Sequence, residues 1–404
     1  MRVLHVVTAW PRHERDPITP WLVELVRRQR DAGHDAVVLA PSYRGGPEPG
    51  AAGALPVHRF RYAPAALETL THDETVPDRL RRRPLQGFLL PAYLAAGADA
   101  AHRLGRRGLD VVHVHWPMPH ALFGAAARHG SGGKAGVVCS FYSVELNWVR
   151  HRLPALLPFL RWTVRTADAV TAISRSTAAA VQALAPGPVS VVPYGSAIED
   201  DGAPVARAAG ADPDRLRILF VGRLVERKGV EILLRAVARL PAASGAELTV
   251  IGAGERERSI RREIESLGLA GRVRMPGFVS RRRLEEEYAR ADVFVLPAVV
   301  DAKGDTEGLG VVLLEALRYE RPVVASAVGG IPDIVEPGHT GLLVPPGDPG
   351  ALAEALQRIA ADPAAARDMA RRGRVRARER FGWRAVLDRT EEAYRTALER
   401  RRGA

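Results

Sequence analysis

Two basic residues in the second half of the sequence have the types and spacing of a phosphate-binding loop. Arg223 and Lys228 lie five residues apart, directly after the apolar run at 217–221. Arginine offers a fork of N–H donors and lysine a compact positive charge, so the two together suit a diphosphate. A solvated basic turn is the alternative for this pair when it is considered alone.

A segment further on, residues 307–315, combines glycines with two carboxylates. Gly308 and Gly310 carry no side chain that would keep a ligand away from the backbone. The run from Val311 predicts a helix whose first N–H groups favour an anion. Glu315, one turn into that helix, suits the two hydroxyls of a ribose, and Glu307 in the loop suits sugar hydroxyls. A capped core helix with two surface glutamates is the alternative for the pair in isolation.

Histidines are concentrated in the first 200 residues, which contain eleven of the twelve. His113 and His115 lie on one predicted strand, and Trp116 follows it. We assign the two histidines to opposite faces of the strand, which argues against zinc, and we predict no metal site. His115 at the end of the strand, with Trp116 beyond it, suits a contact with a sugar; a structural histidine is the alternative.

Short valine-rich runs alternate with segments of helical period, and these elements must position the residues above. Such nearly continuous apolar runs are typical of parallel strands covered by helices on both faces. The pattern predicts two doubly wound α/β domains, in which ligands bind at the carboxyl ends of the strands. Residues 193–213 show no clear period and are predicted to contain the linker. The predicted strands are residues 3–8, 36–40, 111–115, 137–141, 169–173, 189–192, 217–221, 248–251, 273–275, 293–296, 323–325 and 342–344, and the predicted helices include 20–32, 230–240 and 383–401.

The composition of the 404 residues is that of an ordinary globular protein, with 47% hydrophobic and 26% charged residues. The single cysteine, Cys139, permits no intrachain disulfide and fits a reducing compartment. The net charge of +12 is spread over both halves, which argues against a nucleic-acid-binding arm. The first apolar run is too short for a signal peptide, and the uncharged stretch 85–98 is too short to span a bilayer. We therefore predict a cytoplasmic protein.

An ordered set of motifs between about residues 215 and 350 resembles retaining glycosyltransferases of family 4. This resemblance implies the GT-B fold, two Rossmann-like domains that face a central cleft. The first half resembles the family more loosely, through Gly33-His34-Asp35, residues 110–115, Ala172-Ile173-Ser174 and Val192-Pro193-Tyr194-Gly195. The motifs of the second half are Phe220-Val221-Gly222-Arg223-Leu224 with Lys228-Gly229, Val250-Ile251-Gly252-Ala253-Gly254-Glu255, Pro276-Gly277-Phe278-Val279, residues 307–315, Val324-Ala325-Ser326, Gly329-Gly330-Ile331 and Gly341-Leu342-Leu343-Val344.

The resemblance implies metal-independent transfer of a sugar from a UDP- or GDP-sugar, a co-substrate, with retention and without a further cofactor. It assigns residues 1–200 to the acceptor, residues 201–382 to the donor, and residues 383–404 to a helix that packs back toward the first domain. Arg223 and Lys228 would bind the diphosphate, Glu315 the ribose and Glu307 the donor sugar. The predicted donor site also includes Phe278 and Val279 at the base, with Gly308, Leu309, Gly310 and Val311. The predicted catalytic residues are Tyr142, Glu307, Arg223 and Lys228, and the predicted acceptor residues are His115, Trp116 and Glu145.

Two segments of the first half depart from the family pattern. Asp16-Pro17-Ile18-Thr19-Pro20 replaces the usual glycine-rich loop, and proline offers no N–H to a phosphate. Tyr142-Ser143 replaces the usual histidine and glycine. A tyrosine hydroxyl, with an ordinary pKa of about 10, is a poor base, although it keeps a hydrogen bond to the sugar. In a front-side retaining mechanism the departing diphosphate takes the acceptor's proton.

Basic residues flank the apolar run 85–94, with Arg79, Arg81, Arg82 and Arg83 before it. They predict peripheral contact with an anionic membrane, and a solvated basic face is the alternative. We expect a sugar or lipid-linked sugar acceptor and a role in cell-surface polysaccharide or glycolipid synthesis. The alternatives are a natural-product enzyme with a small soluble acceptor and a nucleotide-sugar-binding protein without turnover. A nicotinamide enzyme is disfavoured, because no G-x-G-x-x-G follows the first strand.

Overall fold

The computed structural model describes residues 1–13, 16, 18–45, 55–73, 76–196, 215–241 and 244–403, without the side chains of residues 77 and 78. Contacts divide the chain into two compact units. The first unit comprises Met1–Ile173, Thr177–Val192 and Val386–Ala404, and the second comprises Ser174–Ser176 and Pro193–Ala385. Most of the predicted linker, and the predicted boundary at residue 200, lie outside the described residues.

The strands of the first unit are β1 (Arg2–Val6), β2 (Asp35–Pro41), β3 (Val57–Phe60), β4 (Val111–His115), β5 (Gly136–Phe141), β6 (Ala169–Ala172) and β7 (Ser190–Val191). Over the residues described, they form one parallel sheet in the order β3-β2-β1-β4-β5-β6-β7. The chain order reverses between β1 and β4. In doubly wound sheets this switch point is where a ligand binds.

Helices connect these strands and cover the sheet. α1 begins with Pro20 at its first turn, a position where the missing N–H of proline costs nothing. Short 3₁₀ turns occur at Ala65–Leu67, Pro84–Leu89 and Pro154–Leu156. The helices are α1 (Pro20–Asp31), α2 (Val76–Arg82), α3 (Leu90–Gly105), α4 (Pro117–Gly130), α5 (Val144–Arg152), α6 (Leu157–Thr166) and α7 (Arg175–Gln182).

The strands of the second unit are β8 (Arg217–Val221), β9 (Glu247–Ile251), β10 (Val273–Gly277), β11 (Val293–Leu296), β12 (Val323–Ser326) and β13 (Leu342–Val344). They pair in parallel, in the order β10-β9-β8-β11-β12-β13 across the described part of this unit, so the switch point lies between β8 and β11. A 3₁₀ turn spans Glu226–Lys228. The helices are α8 (Val230–Arg239), α9 (Glu257–Ser266), α10 (Arg281–Arg290), α11 (Val311–Arg318), α12 (Ile331–Ile334), α13 (Pro349–Ala361) and α14 (Pro363–Phe381).

The last helix, α15 (Trp383–Arg402), contributes most of its length to the first unit. Its buried side chains Ala393, Tyr394 and Ala397 pack against strand residues of that unit's sheet, including Val3 and Val111. The helix therefore covers one face of the sheet near β1 and β4. The far end of the sequence is thereby placed beside the beginning.

The predicted class of two doubly wound parallel-sheet domains is confirmed. The main difference concerns β3, which the sequence pattern does not predict. Its residues alternate between partly buried and exposed positions, and only Phe60 is buried. An edge strand of this kind carries polar residues such as His58 and Arg59, so it lacks the continuous apolar run of a central strand.

Candidate functional site

A lysine–glutamate pair lies at the switch point of the second unit. Lys228 belongs to the turn after β8, and Glu307 to the loop between β11 and α11. The Lys228 Nζ atom lies 2.5 Å from a carboxylate oxygen of Glu307, and both side chains are largely buried. Two residues predicted separately, one for phosphate and one for sugar, are thus brought into direct contact. The carboxylate compensates the buried ammonium charge and fixes its position.

Arg223 lies in the same loop, five residues before Lys228, and its side chain is exposed. This side chain makes no hydrogen bond or ion pair with any residue that the structure describes. An exposed guanidinium beside a buried ammonium is an arrangement that receives an anion, because the fork of donors is available. The predicted roles of both residues in diphosphate binding stay predictions.

Glu315 occupies a partly buried position on α11. One of its carboxylate oxygens accepts a hydrogen bond of 2.8 Å from the hydroxyl of Tyr288, on α10. Burial raises the pKa of Glu315, and the hydrogen bond from Tyr288 partly opposes that shift. The sequence did not identify Tyr288, because nothing in its local pattern distinguishes it from a core tyrosine. Tyr288 thus holds one oxygen of the carboxylate in place. The predicted role of Glu315 at the ribose stays a prediction.

The loop from Gly308 to Val311 is shaped by backbone contacts. Gly310 caps α11 with a φ of 92°, a left-handed conformation that favours glycine. The side chain of Leu309 is buried and holds the loop against the rest of the unit. The backbone N–H of Gly330 donates to the carbonyl of Glu307 over 3.0 Å. A Cβ atom on Gly330 would lie 2.1 Å from the carbonyl oxygen of Gly308, so this approach requires glycine.

Phe278 and Val279 follow β10, two strands away from the switch point on the same sheet. The Phe278 ring is 82% exposed, which is unusual for a phenyl group. An exposed ring at the carboxyl end of a strand offers a flat apolar surface to a planar ligand. The predicted role of these two residues at the nucleotide base stays a prediction.

An aromatic cluster lies at the switch point of the first unit. Trp116 follows β4, Tyr142 follows β5, and Trp21 lies in the first turn of α1. The ring centroids of Trp116 and Tyr142 are 4.7 Å apart, and Trp21 lies 5.3 Å from Tyr142 and 5.9 Å from Trp116. Sequence reasoning missed Trp21, since only the fold brings it beside the other two. Such a cluster suits the apolar face of a sugar ring.

Three residues near this cluster have left-handed backbone conformations although none is glycine. The φ angles are 45° at Thr19, 51° at Trp116 and 78° at Ser143. Backbone strain of this kind concentrates at functional sites. Ser143 stands where the family pattern has glycine, a residue that would occupy this conformation without strain.

Glu145 lies in the first turn of α5 and is buried. One carboxylate oxygen accepts a hydrogen bond of 2.7 Å from the backbone N–H of Tyr142. Burial raises the pKa of Glu145 from 4.5 to about 7, opposed in part by that hydrogen bond. This hydrogen bond holds the backbone at Tyr142 in place. The predicted contact of Glu145 with an acceptor stays a prediction.

The prediction that His113 and His115 point to opposite faces of β4 is wrong. Residues two apart on a strand share a face, and the two rings stack with centroids 4.0 Å apart. His5 on β1 joins them in one buried group whose ligand atoms lie within 4.8 Å of one another. Stacked rings cannot both aim a nitrogen at one ion, and all six ring nitrogens have hydrogen-bond partners. The group therefore fits a hydrogen-bond network better than a metal site.

His115 is fully buried, which corrects its predicted contact with the acceptor. Its Nδ1 atom lies 2.6 Å from the Tyr142 hydroxyl, and its Nε2 atom lies 3.0 Å from His5. Burial lowers the pKa of His115 well below its ordinary value, with smaller contributions from His113 and His5. A neutral imidazole in this position reaches a substrate only through Tyr142.

The loop that replaces the family's glycine-rich segment is organised by Asp16. Its carboxylate accepts hydrogen bonds from the backbone N–H groups of Arg12 and Ile18, over 3.0 and 3.2 Å. It also lies 2.9 Å from His72. Pro17 lies outside the described residues. The expectation that this loop contributes little to phosphate binding stays a prediction.

The predicted membrane-contact residues differ in exposure. Arg79 is buried, 3.8 Å from Asp73, so it does not belong to a surface patch. Arg81, Arg82 and Arg83 are exposed. Two apolar side chains in the next turn are also exposed, Leu85 by 79% and Phe88 by 83%. Within the described part of the chain, no helix has the length and apolar character needed to cross a bilayer.

Comparisons with known proteins agree with this geometry. The sequence matches the family models Glycosyltransferase Family 4 over residues 21–199 and Glycosyl transferases group 1 over residues 205–376. A GDP-mannose-dependent alpha-(1-6)-phosphatidylinositol monomannoside mannosyltransferase of Mycolicibacterium smegmatis is 30% identical over 373 residues, 89% of each chain. The N-acetyl-alpha-D-glucosaminyl L-malate synthase of Bacillus anthracis is 25% identical over 318 residues, 77% of this chain and 81% of that one. The solved sucrose-phosphate synthase of Thermosynechococcus elongatus has a TM-score of 0.74, with 23% identity over 98% of both chains.

Two doubly wound parallel sheets, each with chemically distinctive side chains at its switch point, define the GT-B class of glycosyltransferases. The chain belongs to glycosyltransferase family 4. The resemblance predicted from its motifs is thereby confirmed.

Proposed function

We propose that this glycosyltransferase moves a sugar from a nucleoside-diphosphate sugar to a hydroxyl group with retention of anomeric configuration. The observation that carries the proposal is the Lys228–Glu307 pair at the switch point of the second unit, with Arg223 exposed on the same loop as Lys228. In this proposal the two cations on one loop bind the diphosphate, and the carboxylate of Glu307 accepts hydrogen bonds from the attached sugar.

In this mechanism the sugar C1 loses its bond to the diphosphate oxygen while the acceptor oxygen attacks from the same face. Negative charge develops on the departing diphosphate, where Arg223 and Lys228 stabilise it. The acceptor's proton passes to that phosphate oxygen, so no protein base is needed. Tyr142 contacts a sugar hydroxyl, and Glu307 orients the donor sugar.

Incubation of the purified protein with radiolabelled UDP-, GDP- and ADP-sugars tests this proposal. GDP-mannose is the first choice, because the relative of 30% identity is described as GDP-mannose-dependent. We expect one donor to be hydrolysed slowly when no acceptor is present. With an acceptor its sugar should be transferred faster, giving a glycoside of the donor's anomeric configuration. Neither binding nor turnover with any donor would overturn the proposal, and binding without turnover would indicate a binding protein.

We propose that the acceptor is a sugar or a lipid-linked sugar. We also propose that the enzyme is cytoplasmic and binds peripherally to the membrane surface. Support comes from the exposed Leu85 and Phe88 beside Arg81, Arg82 and Arg83. Apolar side chains enter the interface while arginines bind anionic headgroups. This surface would serve glycolipid or cell-surface polysaccharide synthesis.

A small soluble acceptor is the second candidate, favoured by the likeness to the L-malate synthase. Flotation with phosphatidylglycerol vesicles and with phosphatidylcholine vesicles separates the two. We expect binding to the anionic vesicles, weakened by Phe88→Ser and by Arg82→Ala. The matched control is Val375→Ser, at an exposed valine on α14. Equal recovery with both vesicle types, or none with either, would favour the soluble acceptor.

A further inference from the structure

A continuous hydrogen-bond chain runs through the interior of the first unit and ends at Tyr142. Gln29 on α1 contacts His5, with 2.7 Å between Oε1 and the imidazole Nε2. His5 Nδ1 lies 3.0 Å from His115 Nε2, and His115 Nδ1 lies 2.6 Å from the Tyr142 hydroxyl. His5, Gln29 and His115 are all fully buried. The chain therefore joins α1, β1, β4 and the loop after β5, and its members before Tyr142 are shielded from solvent.

The orientation of the Gln29 amide gives every hydrogen bond of this chain one direction. The Gln29 amide nitrogen donates to the hydroxyl of Tyr394 on α15 over 2.9 Å, so its oxygen faces His5. An amide oxygen only accepts, so His5 must carry its proton on Nε2. A neutral His5 then has a bare Nδ1, which accepts from Nε2–H of His115. The bare Nδ1 of His115 in turn accepts the hydroxyl proton of Tyr142.

Neutral imidazoles are what this interior favours. Burial lowers the pKa of His5 to about 4, partly opposed by the bond to Gln29, and lowers the pKa of His115 well below its ordinary value. At neutral pH neither ring carries a charge, so each ring donates from one nitrogen and accepts at the other, as the order just described requires.

We propose that Gln29, His5 and His115 are positioning residues that hold the Tyr142 hydroxyl as an inward donor, so that its oxygen acts toward substrate as an acceptor. This inference rests on the proposed function, in which Tyr142 contacts a sugar hydroxyl. Because the tyrosine proton is directed at His115, any further partner of that oxygen must donate to it. A substrate group that can only accept a hydrogen bond would therefore bind poorly to the Tyr142 oxygen.

A tautomer measurement tests the relay without reference to activity. Histidine ¹⁵N spectra at pH 7, assigned through His5→Asn and His115→Asn, should show protonated Nε2 and bare Nδ1 for both residues. Protonated Nδ1 at both would mean the reversed order, with Tyr142 free to donate outward, and would overturn the proposal. The tautomers can be measured whether or not the protein turns over a donor sugar. A wrong tautomer would therefore overturn this inference without overturning the proposed function.

A double-mutant cycle tests whether His115 acts through the tyrosine hydroxyl. With GDP-mannose hydrolysis as the first assay, Tyr142→Phe and His115→Phe should each lower kcat roughly 10-fold. His115→Phe should cost nothing further in the Tyr142→Phe background. His115→Asn, whose side-chain oxygen can replace Nδ1 as acceptor, should recover most of the loss.

The matched control is the pair His120 and Tyr93, also buried and hydrogen-bonded over 2.8 Å in the same unit. Tyr93→Phe, which removes the hydroxyl from this pair, should lower the thermal midpoint but leave kcat within about twofold. If His115→Phe lowers kcat by the same factor with and without the Tyr142 hydroxyl, its role is merely structural and the proposal fails. Wild-type kcat in Tyr142→Phe would overturn it as well.

Discussion

The two units build their switch points from different chemistry. In the second unit the side chains are charged, with Lys228 paired to Glu307 and Arg223 exposed on the same loop. In the first unit they are neutral at pH 7, with His115 and Tyr142 in contact and Trp116 beside them. Charge suits a diphosphate, whereas aromatic rings and neutral hydrogen-bonding groups suit a sugar. In the proposed mechanism the charged switch point of the second unit holds the diphosphate and its sugar, and the aromatic switch point of the first unit adds a contact with a sugar hydroxyl.

The largest expected effect is that of Lys228→Ala, which removes the buried cation of the second unit. Loss of one charge that stabilises the departing diphosphate should lower kcat/KM roughly 100- to 1,000-fold. The measurement is nucleotide release from the best donor of the panel. Lys303→Ala, at an exposed lysine of a later loop in the same unit, is the control and should leave the rate unchanged. A loss below threefold in Lys228→Ala would contradict the assigned role.

A smaller effect should separate the two glutamates of the second unit. Glu315→Gln should weaken nucleotide binding about 10-fold, because a neutral amide replaces the carboxylate that receives the ribose hydroxyls. Glu307→Gln should lower kcat about 10- to 100-fold and change nucleotide affinity little. Calorimetric titration with GDP and UDP, beside turnover rates, distinguishes them. Negligible effects of both substitutions would refute the site assignment.

Acid should destabilise the first unit through its buried histidines. Burial lowers the pKa of His5 and of His120 to about 4 from 6.5. Between these values the unfolded chain binds the proton and the folded chain does not, so stability is lost as pH falls from 6.5 toward 4. Urea unfolding at pH 5 and pH 7 should show this loss. His120→Asn should reduce it by on the order of 1 kcal/mol.

Glu145 contributes with the opposite sign. Its pKa is raised from 4.5 to about 7. The folded chain therefore binds the additional proton across that window, and stability declines as pH rises through it. Glu145→Gln should make the gain in stability between pH 5 and pH 7 steeper. Identical pH profiles for the wild type and both variants would contradict the burial of these groups.

The smallest effect is expected at the strained loop of the first unit. Ser143→Gly should increase the free energy of unfolding by up to about 1 kcal/mol, because glycine adopts a φ of 78° without strain. Ser266→Gly, at the end of helix α9, is the control and should lower stability by about 0.5 kcal/mol. A loss of stability in Ser143→Gly would mean that the serine side chain compensates the strain.

The sequence predicted the second unit's site more fully than the first unit's. Most of its strands are short apolar runs, and Lys228 and Glu307 lie within motifs in the loops that follow two of them. Motif spacing is enough to predict a site residue when the loop that carries the residue also determines its position. It did not reveal the Lys228–Glu307 contact, since the two residues meet only when β8 and β11 pair.

The first unit's site depends on residues that are distant along the chain. Gln29 and Tyr394 are 365 positions apart, yet they share a hydrogen bond. Trp21 reaches the aromatic cluster through the placement of α1. Local periodicity cannot signal such contacts. The assignment of His113 and His115 to opposite faces failed for another reason, because the two-residue period of a strand places them on one face.

Hydrogen–deuterium exchange with saturating GDP and with UDP tests the central claim most directly, namely that the second unit's switch point receives the donor. We predict that one nucleotide protects the backbone at 222–230 and 305–316, in the wild type but not in Lys228→Ala. The loops after β4 and β5, with Trp116 and Ser143, should change little. Protection confined to the first unit, or equal protection in Lys228→Ala, would contradict the account.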